Sequence, residues 1–169
     1  MRAGGSKQKG AGFEREICKK LSLGITGGKQ DDVFWRSAMS GGRATIAHRK
    51  GQDIRQSGDI TSVAPEGHVF TDRWFVECKH YKQLDLLSFF IKNRGITAQF
   101  WRHAKKQAKN HKKEPMLILK QNNLPILVIA IGQPELWTPL LYSKFIPPII
   151  LSEDYGYGVW LFDMLTKTM

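Results

Sequence analysis

An α/β domain, a mixed central β-sheet flanked by helices, is the fold this sequence predicts, and three observations predict it. Apolar runs of strand length recur along the chain, separated by longer stretches with helical periodicity. Glycine, proline and asparagine clusters punctuate them as turns. With 169 residues, 41% hydrophobic and 24% charged, the chain can bury a real core as one domain over residues 1–169.

Taken in order, Met1 to Lys9 is rich in Gly and Lys with no apolar stretch behind it, and reads as a flexible basic arm rather than a signal peptide. A helix is predicted from Gly12 to Leu23. At about 100° per residue, Phe13, Ile17, Cys18 and Leu21 share one arc, while Arg15, Glu16, Lys19 and Lys20 fill the opposite side. Glu14 falls inside the apolar arc, where a carboxylate is costly without a partner. Gly24 to Asp32 breaks the helix, and Val33 to Arg36 reads as a short strand. Residues 37–58 show little periodicity and form a long basic loop bearing Ser40, Arg43, Arg49, Lys50 and Arg55, a plausible clamp on a DNA backbone.

Ile60 to Val63 resumes as a strand, Ala64 to Gly67 turns, and Trp74 to His80 returns as its hairpin partner, with Asp72 as a turn residue. A helix over Leu84 to Ile91 stops at Asn93-Arg94-Gly95, and a second fits Thr97 to Lys112. Phe100, Trp101, Ala104 and Ala108 are its apolar stripe; Lys105 and Lys109 lie on faces that could meet phosphate. Met116–Leu119 and Ile126–Ile131 predict a hairpin joined through Gln121-Asn122-Asn123. The apolar tail from Pro134 packs on the sheet or forms a subunit interface, and Tyr157 to Leu165 closes it as a strand or a short helix.

Charge narrows the function classes. The balance of 26 basic against 15 acidic residues gives +11 and draws polyanions, nucleic acid first. No apolar run approaches the roughly 18 residues that span a bilayer, so no membrane partner is expected. Cys18 and Cys78 lack C-x-x-C spacing, which argues against zinc and suits reduced core thiols in the cytoplasm. The five histidines show no ligand spacing; His80 and His103 are expected near substrate at most. No nucleotide cofactor is expected.

The chemistry sits in four residues: Asp59 opening one apolar run, and Glu77-Cys78-Lys79 closing another, in the spacing D-x17-E-x-K. Strand side chains alternate, so Glu77 and Lys79 project together while Val76 and Cys78 point away. An Asp delivered beside them gives two carboxylates and an ammonium. Such carboxylates repel unless one is protonated or a cation lies between them. Oxygen donors suit Mg²⁺ or Mn²⁺, one or two ions per site, which work on phosphate esters. Asp59, Glu77 and the Cys78 backbone carbonyl are the expected ligands, with Glu14 as a third carboxylate from the helix. Asp53 is a rival for Asp59, but no apolar run follows it.

These stretches together resemble the PD-(D/E)XK nuclease superfamily, and within it the archaeal-type Holliday junction resolvases and their phage relatives. The resemblance rests on Lys9 to Glu16, Trp35-Arg36-Ser37-Ala38, Gly58-Asp59-Ile60 and Val76 to Lys79, in that order. It covers about Lys9 to Lys79, with Gly58 where the superfamily name has Pro and with a longer loop before Asp59 than in the compact archaeal enzymes. It implies a restriction-endonuclease-like core, catalytic roles for Glu14, Asp59, Glu77 and Lys79, and phosphate contacts by Arg15 and Arg36. Ser37 or Ser40 would match a loop serine of the family. The implied activity is a Mg²⁺-dependent endonuclease cutting branched DNA as a homodimer. Two alternatives stand beside it: a repair or restriction-like nuclease on duplex or single-stranded DNA, and a non-catalytic DNA-binding protein on the same scaffold.

Overall fold

The computed structural model describes residues 4–37, 57–131 and 148–166. Helix α1, Gly4–Ile25, is followed by strand β1, Phe34–Arg36, and by β2, Ile60–Ser62. A 3₁₀ turn at Pro65–Gly67 leads into α2, His68–Arg73, and then β3, Trp74–Tyr81. Helices α3, Leu86–Lys92, and α4, Gly95–Asn110, precede the strands β4, Glu114–Gln121, and β5, Leu127–Ala130. The described chain ends with β6, Ile150–Ser152, β7, Tyr157–Leu161, and α5, Phe162–Thr166.

Five strands make the main sheet in the order β3-β4-β5-β7-β6. The β3–β4 pair is parallel and the rest antiparallel, so the sheet is mixed and helices flank it, as expected. Alternation along β3 and β4 sorts their side chains into two layers. Val76, Cys78, Met116 and Ile118 face α1, where Phe13, Ile17, Cys18 and Leu21 meet them. Leu117 and Leu119 face α4, packing with Trp101, Phe89 and Tyr157.

Several expectations are corrected. α1 begins at Gly4, so residues 4–9 of the expected flexible arm belong to the helix, while 1–3 lie outside the described residues; Lys9 Nζ reaches Asn122 Oδ1 at 3.0 Å. The strands carrying Asp59 and Glu77 do not form a hairpin. β2 pairs antiparallel with β1 in a separate two-stranded sheet, and α2 is inserted before β3. Asp72 therefore lies in a helix rather than a turn. The β4–β5 hairpin stands as expected, and Tyr157 to Leu165 proves to be a strand and then a helix. The loop residues Ser40, Arg43, Arg49, Lys50 and Arg55, with the tail over 134–147, lie outside the described residues.

Candidate active site

β3 is an edge strand of the main sheet, and the four candidate residues meet at that edge. Glu77 and Lys79 project on the α4 side, and Lys79 donates to Glu77 Oε1. Asp59 reaches β3 not by strand pairing but through one isolated parallel bridge, Gly58 to Val76. There the Asp59 N–H donates to the Val76 carbonyl at 2.8 Å, and Cys78 N–H donates to Asp59 Oδ2 at 2.8 Å. Gly58 makes the approach possible. It has φ +80°, and a Cβ there would stand 2.4 Å from the Val76 carbonyl oxygen, a conformation and a distance that L side chains do not tolerate.

Glu14 comes from α1 on the opposite face and accepts from Arg36 Nε at 2.5 Å. This resolves its place in the apolar arc: the carboxylate is largely buried but ion-paired. Arg36 is held in turn by β1, which α1 clasps through one hydroxyl. Ser22 Oγ donates to the Cys18 carbonyl and accepts from Phe34 N–H. Ser37 N–H then donates to the Asp59 carbonyl at 2.9 Å, tying the two segments together.

Electrostatics show that these groups share one neighbourhood. Burial, followed by the charge of Glu77 and less so Glu14, pushes Asp59 up to about 7, against the opposing pull of the Cys78 N–H and Lys79. Burial works against the Lys79 ammonium, but Glu77 outweighs it and holds the pKa above the ordinary lysine value. Burial, helped by Glu14, pushes the Cys18 thiol up to about 12. Cys78 is likewise raised by burial and then by Asp59. Both thiols are therefore unreactive core groups, as the sequence suggested.

Among the described residues, no three Asp, Glu, His or Cys side chains stand close enough to form a ready-made ion cage. Instead each carboxylate leans on a resident partner: Glu14 on Arg36, Glu77 on Lys79, Asp59 on a backbone N–H. A carboxyl lifted to about 7 by burial and then by a second carboxylate is nevertheless short of positive charge. The donors are oxygens, so a hard divalent ion fits them.

A family model described as phage putative PDDEXK endonuclease matches residues 5–157. The chain belongs to that family. Comparison with curated proteins and with solved structures gave no match. Membership makes the chain a nuclease of the PD-(D/E)XK superfamily on an α/β core.

In this PDDEXK endonuclease the expected DNA contacts divide. Arg15 is exposed on α1, and Arg36 is half-buried beside Glu14. Ser37 is buried at 3% exposure, which sets it back from the surface. Lys105 and Lys109 stand exposed on α4, with Lys105 Nζ 5.8 Å from the Trp101 ring centre. Of the histidines, His103 places Nδ1 4.0 Å from Glu77 Oε1, while His80 packs its ring on Phe13 and meets Asn122. Gly58 is the residue that sequence reasoning undervalued. A glycine directly before a strand-opening Asp is the signal that could have found it.

Proposed function

We propose that this nuclease is a metal-dependent endodeoxyribonuclease that resolves branched DNA, Holliday junctions among them, by phosphodiester hydrolysis. The observation that carries the reading is Asp59, raised to about 7, beside the Glu77–Lys79 pair at the β3 edge, with the Glu14–Arg36 pair approaching from the α1 face. A DNA-binding module has no need of clustered acids that repel phosphate. The net charge of +11 supports a polyanionic substrate.

Asp59, Glu77 and the Cys78 carbonyl would hold Mg²⁺ or Mn²⁺, with Glu14 as a further oxygen donor. Such an ion supplies Lewis acidity toward phosphoryl oxygen and a more acidic water. Lys79, kept protonated by Glu77, orients the attacking water and offsets charge on the phosphate. Arg36 binds non-bridging oxygens of the scissile phosphate and holds it against the β3 edge, and Arg15 contacts phosphate of the DNA beside it. Water attacks phosphorus, the P–O bond to the leaving oxygen breaks, and that oxygen departs with a proton.

A homodimer in the cytoplasm is part of the proposal, because a four-way junction offers two equivalent strands to a two-fold protein. Leu87 and Ile91, one turn apart on α3 and 75% and 70% exposed, support a subunit contact. In the test, Asp59→Ala or Glu77→Ala should lower Mg²⁺-dependent junction cleavage by at least about 10²-fold while junction binding persists. Lost binding with cleavage intact would contradict these roles. Equal cutting of a junction, a flap and a linear duplex by the wild type would replace the branched substrate with a general one.

A further inference from the structure

Beside the catalytic edge lies a cleft of about 500 Å³ bounded by Arg15, Lys19, Asp31, Trp35, Arg36 and Ser37. Its size is within the roughly 300–1,000 Å³ of small-ligand sites. Two of its features have no part in the hydrolysis. One is Trp35, which is 60% exposed although its strand neighbour Phe34 is buried against Phe70, their ring centres 5.3 Å apart. Alternation along β1 turns the indole outward, and among the described residues no ring or cation stacks on it. The other is Lys19 on α1, which brings a second α1 cation to the wall that Arg15 also lines.

We propose that this cleft receives one unpaired nucleotide of the DNA substrate, its base stacked on Trp35 and its phosphate between Arg15 and Lys19. The inference rests on the branched-DNA reading of the adjacent site and deepens it. A base inside a duplex has both faces covered by neighbours, so only an unstacked base can lie on an indole. Bulges, flaps and branch points whose terminal pairs open supply such bases; a continuous duplex does not. The cationic wall matches phosphate, and the one acidic member, Asp31, already pairs with Lys19 at 3.1 Å. That pair is more than half exposed and contributes little, so a phosphate can displace the carboxylate. Arg36 joins the cleft to the chemistry, since it lines the cleft while its Nε bonds Glu14. A guanidinium has five donors, and that bond uses one.

The test uses the full chain in Ca²⁺ without Mg²⁺, with three DNA probes: a linear duplex, the same duplex with a one-nucleotide bulge, and a flap, each unpaired position carrying 2-aminopurine. Trp35→Ala should weaken bulge and flap binding by about tenfold or more, the loss of one stacked base, and leave duplex affinity within about twofold. Trp35→Phe should recover most of the loss, and the wild type but not Trp35→Ala should quench the 2-aminopurine emission. Arg15→Ala should weaken binding to all three probes. Equal losses on duplex and bulge, or unchanged emission, would overturn the stacking site. Trp35-dependent bulge binding in a wild type that cuts no branched probe with Mg²⁺ would sink the branched-DNA cleavage reading alone. A urea titration of each variant excludes unfolding as the cause.

Discussion

Asp59 holds a buried carboxyl beside a second one. Its carboxyl is 9% exposed and sits beside Glu77, so without a cation the proton is retained to about pH 7. The unfolded chain releases that proton near the ordinary carboxylate pKa of about 3.9. A group whose pKa is raised by folding contributes stability below the unfolded value and loses it as pH climbs through the folded one. In EDTA, the urea midpoint of the wild type should therefore fall relative to Asp59→Asn between about pH 4 and pH 7. The asparagine keeps an acceptor for Cys78 N–H and removes the titration. Parallel curves for the two proteins would show that burial and Glu77 do not hold the proton on Asp59. Glu14 and Arg36 are the neutral counterpart: an acid within an apolar arc becomes tolerable because a guanidinium from the next element arrives at 2.5 Å.

Elements are fixed by local chemistry that crosses their boundaries. Asp85 lies just before α3, yet its carboxylate caps α4, accepting from Ile96 N–H at 2.8 Å, Thr97 N–H at 3.1 Å and Thr97 Oγ1 at 2.8 Å. Gly95, with φ +88°, leaves room for it: a Cβ there would stand 1.4 Å from Asp85 Oδ2. Asp85→Ala should cost about 1–2 kcal/mol in a urea titration, with Asp85→Asn recovering much of it, and the buried Thr97 hydroxyl puts the loss toward the upper end. Periodicity made α1, α4 and the β4–β5 hairpin legible in the sequence, because each carries an apolar face of regular period. Its failures are equally physical. Residues Pro65 to Arg73 alternate neither as strand nor as a full helical face, so α2 was hidden and the D-x17-E spacing suggested a hairpin. A three-residue β2 can join either β1 or β3; it pairs with β1, while Gly58 just before it bridges to Val76 on β3. The order of Glu14, Asp59, Glu77 and Lys79 was legible; the partner that each carboxylate holds was not.

At the scale of the whole molecule, the positive field and the sheet edge act together. The charge of +11 acts on polyanions over roughly 10 Å at 0.1 M salt, while the candidate site acids Asp59 and Glu77 lie at the β3 edge. Lys105→Ala and Lys109→Ala should each flatten the log–log salt dependence of DNA binding by about 1, with little change in sequence preference. An unaltered slope would mark α4 as an ordinary solvated exterior. α1, at 22 residues, is the longest of the described helices. Lys9 meets Asn122 at the β4–β5 turn, Glu16 meets Lys120 at 2.8 Å, and Ser22 bonds β1. Glu14 thus rides on a rod anchored at several points along its length, with neither sliding nor rotation open to it. One residue gained or lost between Glu14 and Ser22 would swing the carboxylate by about 100° relative to those anchors. Evolution can therefore lengthen the connections between elements far more readily than it can alter the count of residues inside this helix.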